Sequence, residues 1–314
     1  MNWKQTLFWS FSTAAIFYYF LLFGVFVFVG QEEMQLFIPE WWYIREFLFQ
    51  PGGFCAVAGQ WIIQYYRQPM SAVVLHTVLL VGCGFMVYRI LRCFSDKTYL
   101  LFLSLLPVLY LVKMSIHGEY LVDGTVGVVL MLLALSVSLK VRRAGSIAGY
   151  GIASTLLLSG LTGLLSVCYA FLYTLLALLR YKTSRQRLAA AACLIPALFI
   201  YLFSGWLGIP VPLSDGWMPE AYLEIQRLPH YYMYRVWTFF TLSIVGVALF
   251  ARFVPVIGEK SKWMDRVALV VCLITALVSI RFCLPEPWHA QRMMLDELSF
   301  LARERQWDAI IDKY

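Results

Sequence analysis

The sequence predicts an all-α, polytopic membrane bundle of about nine transmembrane helices, with two interfacial helices in the first outer loop. Three observations carry this. Hydrophobic residues make up 61% of the chain and charged residues 14%, far from the roughly 45–50% and 25% of soluble domains. The apolar residues fall into runs near the roughly 20 residues that one span needs. Lys and Arg collect between alternate runs. In such a chain a net charge of +7 reports membrane orientation and not an acidic partner, and no nucleic-acid role is expected.

Residues 1–284 read as the transmembrane domain and 285–314 as a short tail. Lys4 is followed by a long apolar run with no small-residue cleavage site, expected as a retained first span over 7–30. An aromatic-rich element over 31–70 comes next. Spans follow at 71–91 and 99–114, then the connection Ile116-His117-Gly118-Glu119-Tyr120 and a fourth span ending near Lys140. The stretch 148–180 is too long for one span, and Gly160 and Gly163 mark a place to reverse, giving two. A seventh span is expected at 188–206, an outer loop at 207–235, and further spans at 236–253 and 267–284.

Basic clusters at 89–97, 140–143, 180–187 and 252–266 set the orientation. With the N-terminus cytoplasmic, the inner segments hold 15 of the 25 Lys and Arg and 3 of the 18 acids, as the positive-inside rule requires. Reading 148–180 as one span would turn the last two clusters outward. The expected orientation therefore has the N-terminus cytoplasmic and the C-terminus on the outer face.

Within the 31–70 element, Pro39 precedes Glu40-Trp41-Trp42-Tyr43-Ile44-Arg45-Glu46-Phe47-Leu48, and Pro51-Gly52-Gly53 forces a turn. A second run places Phe54, Val57, Ala58, Trp61, Ile62 and Tyr65 at helical spacing, with Gln60, Gln64 and Arg67 on the other face. Two short helices rich in rings suit the membrane interface, with Trp41, Trp42, Trp61, Tyr65 and Tyr66 as its aromatic contacts. The bilayer itself is thus the first expected partner.

The candidate chemistry lies in the outer acids. Glu32 and Glu33 sit where the first span leaves the membrane, and Glu119 and Asp123 lie between the third and fourth spans. An ionisable group at the depth of Asp123 is costly and marks a functional candidate. The same four residues also suit an ordinary polar helix start and an outer acid pair. Arg67 and Arg235, each beside aromatic residues, suit a lipid phosphate or a plain interfacial belt. His76 and His117 have no His, Cys or acid at metal spacing and fit packing roles. Gly82, Gly84, Gly160 and Gly163 fit close helix contacts. The seven cysteines form no CxxC pair, so no disulfide or zinc site is argued.

Acids after the first span, interfacial helices in the first outer loop and an acid pair before the fourth span resemble the layout of the GT-C glycosyltransferases. That resemblance covers about residues 1–255. It implies a transferase using a polyprenyl-phosphate-linked sugar on the outer face, with Glu32, Glu33, Glu119 or Asp123 catalytic and Arg67 or Arg235 holding the lipid phosphate. Glu119-Tyr120-Leu121-Val122-Asp123 departs from the family's acid-x-acid spacing, so a divalent metal enters only through the resemblance and no cofactor is assigned.

The Pro-Gly-Gly segment with Gln64-Tyr65-Tyr66 before Pro69 also resembles a family of Bacteroidota inner-membrane proteins of unknown function with an outer helical-repeat tail. That resemblance implies the bacterial inner membrane as the location, which makes the outer face, and with it the C-terminus, periplasmic. Here residues 285–314 supply an amphipathic helix and then Gln306-Trp307-Asp308-Ala309-Ile310-Ile311, like the opening of such a repeat. A half-repeat cannot bury its own face, so the tail is expected to dock on the membrane domain or begin a longer domain. Two other functions stand beside a transferase. One is a non-catalytic anchor or assembly factor with a periplasmic partner on the tail. The other is a transporter, ranked third because no internal repeat is visible.

Overall fold

The computed structural model describes residues 3–34, 37–97, 99–116, 120–163, 165–203, 231–258, 270 and 287–313, and among these all regular structure is helical. Helices α1 (Trp3–Phe23) and α2 (Val25–Met34) form one pass that turns at Gly24. The amide of Gly24 bonds Phe20 O at 2.8 Å and that of Phe28 bonds Gly24 O at 3.0 Å, so the ladder crosses the turn. The pass runs beyond its expected end at residue 30. Gln31, Glu32 and Met34 are good helix formers, and they extend the helix where a loop was expected.

Two short helices follow, α3 (Trp41–Leu48) and α4 (Gly53–Ile63), with a 3₁₀ turn at Gln64–Arg67. They break where Pro51-Gly52-Gly53 predicted. Gly52 has φ 82°, a conformation open to glycine at little cost. Its amide donates to Gly160 O at 3.0 Å, a carbonyl in the last turn of α8 (Ala144–Thr162). Helix ends leave four carbonyls without intrahelical partners, and the hairpin turn supplies a donor to one of them.

The remaining bundle comprises α5 (Pro69–Leu91), α6 (Leu100–Ser115), α7 (Val122–Ser138), α8, α9 (Leu165–Arg180), α10 (Ser184–Ala191), α11 (Leu194–Phe203) and α12 (Tyr231–Gly258). Residues 148–180 are two helices, as expected, and they reverse at Gly163 with φ 65° and ψ −139°, a region essentially restricted to glycine. Thr183 and Gln186 begin α10 with a reciprocal cap, in which the Thr183 hydroxyl accepts from the Gln186 amide and donates to its Oε1. After these come α13 (Pro287–Arg303) and α14 (Trp307–Lys313). Arg305, at φ 56°, closes α13: the Gln306 amide bonds Leu301 O and the Arg305 amide bonds Ala302 O, the paired bonds of a left-handed helix cap.

The passes alternate in direction, so their ends gather at two levels. At one level Gln5 meets Tyr88, Tyr181 bonds Val141 O, Gln186 bonds Arg142 O, and Tyr99 packs on Phe250. The basic clusters at 89–97, 140–143 and 180–187 and Arg252 therefore share this end. The other level holds Gln31, the α3–α4 hairpin, the start of α7 and α13.

The expectation of nine spans is corrected in part. Among the described residues, four segments are both long and apolar enough to cross a membrane: Gln5–Phe23, Pro69–Leu91, Ala144–Thr162 and Ser184–Phe203. α6, α7 and α9 have 16, 17 and 16 residues, about 24–26 Å at the helical rise, short of a hydrocarbon core of about 30 Å. The expected span at 267–284 lies outside the described residues.

The glycines also divide. A Cβ at Gly84 would lie 3.2 Å from the Trp9 ring, a close contact as expected, whereas at Gly82 and Gly160 it would meet nothing within 4 Å. These two are not packing positions. Gly163→Ala is expected to destabilise the protein by about 1–3 kcal/mol through backbone strain. Gly160→Ala should stay within about 0.5 kcal/mol of the parent. Thermal unfolding midpoints in detergent would check the contrast.

Candidate functional site

The candidate site lies at the end of the bundle opposite the basic clusters. Gln31 is fully buried, and its Nε2 donates to Tyr120 O at 2.9 Å. This bond ties the end of the first pass to the segment leading into α7. The Tyr120 hydroxyl lies 3.1 Å from Thr125 Oγ1, which holds that segment against the helix it begins.

Asp123 occupies the first turn of α7 and is only 4% exposed. Its Oδ1 accepts the Gly124 amide at 2.7 Å, and a carboxylate in a first helical turn is favoured by the exposed amides there. Gly59 of α4 lies directly on it: a Cβ at Gly59 would stand 2.7 Å from Asp123 Cβ. Cys55, one turn earlier on α4, is also buried, and burial together with the Asp123 charge pushes its thiol up. Desolvation and a like charge both disfavour a thiolate, so Cys55 suits packing and not nucleophilic work.

Glu32 faces elsewhere. Its Oε2 is 3.3 Å from Arg303 Nη1 of α13. Around that pair, Phe26 and Phe300 pack with ring centroids 6.0 Å apart, and a Cβ at Gly30 would stand 3.5 Å from Asp296 Cγ. The tail therefore docks on α2, one of its two expected fates. Successive helical residues point about 100° apart, so with Gln31 turned to Tyr120, Glu32 is turned to the tail. The two carboxylates expected to share a site thus have different neighbours, Glu32 on α13 and Asp123 beneath α4. The side chain of Glu33, and Glu119 and His117 entirely, lie outside the described residues.

Of the two candidate phosphate ligands, Arg67 is exposed at the end of the 3₁₀ turn. The side chain of Arg235, and most of the 207–235 loop, lie outside the described residues. Among the aromatics, Trp41, Trp42, Trp61 and Tyr65 are exposed, the first two by 67% and 61%. Tyr66 is a correction, since it is fully buried and its hydroxyl lies 2.6 Å from His76 Nε2. A 3₁₀ turn advances about 120° per residue, so Tyr65 and Tyr66 cannot share a face.

Along α4 and the turn after it, Phe54 and Trp61 point outward, as rings at an interface do, and Gln64 and Arg67 are exposed, whereas Cys55, Ala56 and Gly59 are buried together with Gln60, which was expected on the polar side with Gln64 and Arg67. Small residues allow α4 to approach its neighbours closely, which outweighs the polarity of Gln60. The Gln60 Oε1 accepts the Tyr43 hydroxyl at 3.1 Å, and burial pushes the Tyr43 phenol up.

His76 is enclosed by rings. Phe28 stacks on it at 4.0 Å and 12°, and Phe20 lies at 5.6 Å. Among the described residues no group of three or more His, Cys, Asp or Glu could hold a metal ion. His76 has the packing role expected of it, with Tyr66 as a partner that sequence reasoning missed. The other polar anchor it missed is Gln31, for which a polar residue just beyond an apolar run was the available signal.

Alternating apolar passes, a charge-sorted bundle and a packed hairpin at one end define a multi-pass helical protein compatible with a membrane. Residues 1–314 match the model of a family of unknown function, DUF6057, and the chain belongs to that family. No curated protein and no solved structure matches the chain.

Tyr66→Phe is expected to cost about 1–3 kcal/mol, because it leaves the buried His76 without its partner. Adding His76→Phe should return much of that loss, since removal of both polar partners can be nearly neutral. A double-mutant cycle on unfolding midpoints measures the coupling.

Proposed function

We propose that the protein is a non-catalytic anchor of the bacterial inner membrane that holds α13 and α14 against the end of its first pass and presents them to a protein of the cell envelope. The carrying observation is the Glu32–Arg303 pair, with Phe26 on Phe300 and Gly30 on Asp296. It engages a carboxylate that a transferase would need free, and it fixes the tail on the membrane domain. On α14, Trp307 and Ile311 are 58% and 76% exposed, an apolar face suited to a partner.

The proposed topology has nine spans, with the N-terminus cytoplasmic and the tail periplasmic. The gathering of the basic clusters at one end supports it through the positive-inside rule. α12 ends at that basic level and α13 docks at the other, and the apolar stretch 267–284 stands between them in the sequence. Reporter fusions after Arg143 and Arg187 should give cytoplasmic signals and a fusion after Tyr314 a periplasmic one. A cytoplasmic signal at Tyr314 overturns the topology.

The anchor is tested through its tail. Arg303→Glu should loosen the docking, seen as weaker disulfide trapping between Gly30→Cys and Asp296→Cys in vesicles, and adding Glu32→Arg should restore trapping. Unchanged trapping in Arg303→Glu would remove the ion pair from the account of docking.

The rival is a GT-C-like transferase acting on a polyprenyl-phosphate-linked sugar. It is favoured by the Gln31–Tyr120 bond, which brings the two acid-bearing junctions together. Release of polyprenyl phosphate from such a donor by purified protein, abolished in Asp123→Asn or Glu32→Gln, would replace the anchor with the enzyme. A general base is worth about 10²–10⁴-fold, so the loss would be unmistakable.

A further inference from the structure

α3 stands apart from the rest of the bundle. It packs on α4 yet buries none of its own residues. Trp41 and Trp42 are exposed, and Phe49, its C-cap, is 80% exposed. With Arg45 and Glu46 these three rings line an open, shallow hollow of about 410 Å³ on one side of the helix. The guanidinium of Arg45 is 5.7 Å from the Phe49 centroid. Arg45 and Glu46 form no ion pair with each other or with another described residue. Three exposed rings, a cation and an anion, the last two without an ion pair to any described residue, therefore share one hollow on an amphipathic helix, beside a bundle whose apolar helices are compatible with a membrane.

We propose that this hollow binds the headgroup of a zwitterionic lipid bearing a primary ammonium, a phosphatidylethanolamine. The forked Arg45 donors match a phosphate, and the carboxylate of Glu46 matches an ammonium with three N–H donors. Trp41 and Trp42 give that ammonium aromatic faces, while the exposed rings lie at headgroup depth as in other interfacial helices. An anionic headgroup would meet Glu46 unfavourably. A trimethylated ammonium has no N–H to offer the carboxylate, so phosphatidylcholine loses that contact. The inference goes beyond the anchor and does not depend on it, because α3 would make this contact in an anchor or an enzyme.

The test uses the full-length protein, delipidated and titrated with phosphatidylethanolamine, phosphatidylcholine and phosphatidylglycerol, with retained lipid read by native mass spectrometry. The wild type should hold phosphatidylethanolamine about fivefold or more tightly than either other lipid, as one charge-assisted hydrogen bond predicts. Glu46→Gln should erase its advantage over phosphatidylcholine, and Arg45→Gln should weaken all three. Equal or tighter binding of phosphatidylglycerol by the wild type overturns the proposal, as does an unchanged preference in both variants.

If the variants fail to fold, wild-type protein in vesicles with brominated lipid chains reads the same contrast. The Trp41 and Trp42 emission is obtained as the difference from Trp41→Phe/Trp42→Phe protein. Stronger quenching by brominated phosphatidylethanolamine than by brominated phosphatidylglycerol supports the site, and equal or weaker quenching overturns it.

Discussion

The contact on which the candidate end of the molecule depends is the seating of Gly59 on Asp123. With a hypothetical Cβ only 2.7 Å from Asp123 Cβ, no larger residue fits at 59 without moving α4 away from α7. That approach buries Cys55, Ala56 and Gln60 and covers the carboxylate. It also fixes the height of the Pro51-Gly52-Gly53 turn, whose Gly52 amide reaches Gly160 O. The hairpin is consequently bonded to α8 and packed on α7. Only α3, its outer half, remains a surface helix.

A second constraint runs through the bundle: a buried polar group left without a hydrogen bond is costly, so most such side chains on the long helices find a partner inside the protein. Hydroxyls on the long helices do so locally. Ser12, Thr13, Thr77, Ser115, Thr155, Thr162 and Thr174 each donate to the carbonyl four residues back. Larger polar groups bond across elements instead. Tyr181 reaches Val141 O, Tyr169 meets Ser138, Tyr66 meets His76 and Gln31 reaches Tyr120 O. The local bonds leave helix packing to small and apolar residues, while the cross-element bonds hold junctions at set positions. Gln31 belongs to the second group, which makes this fully buried polar residue of the candidate site a structural tie.

Periodicity and punctuation made much of this architecture legible. Pro51-Gly52-Gly53 marked the hairpin break, and Gly163 marked the reversal between α8 and α9, because each break needs a backbone conformation that glycine alone adopts cheaply. The basic clusters marked the end of the bundle at which they gather. What was illegible was the buried side of α4. Periodicity groups Phe54 with Trp61 but does not mark Gly59 and its small neighbours as the side packed on the bundle, where the lack of bulk lets helices approach closely. The pairing of Glu32 with Arg303 was equally illegible, because it joins residues 271 positions apart and no local pattern encodes it.

That pair also bears on how firmly the tail is held. Both partners are partly exposed, at 32% and 26%, and ion pairs of this kind contribute about 0.2–1 kcal/mol. Alone it would not fix a 17-residue helix. Phe26 against Phe300 adds about 0.5–1.5 kcal/mol where rings pack well, and the absence of a side chain at Gly30 lets Asp296 approach α2. Among the described residues these contacts lie along one helical stripe. The tail held in this way leaves Trp307 and Ile311 of α14 exposed, whereas the hairpin at Gly59 cannot move without uncovering Asp123. The two structures at this end therefore meet the bundle differently, the hairpin by close backbone approach and the tail by side-chain contacts along one stripe.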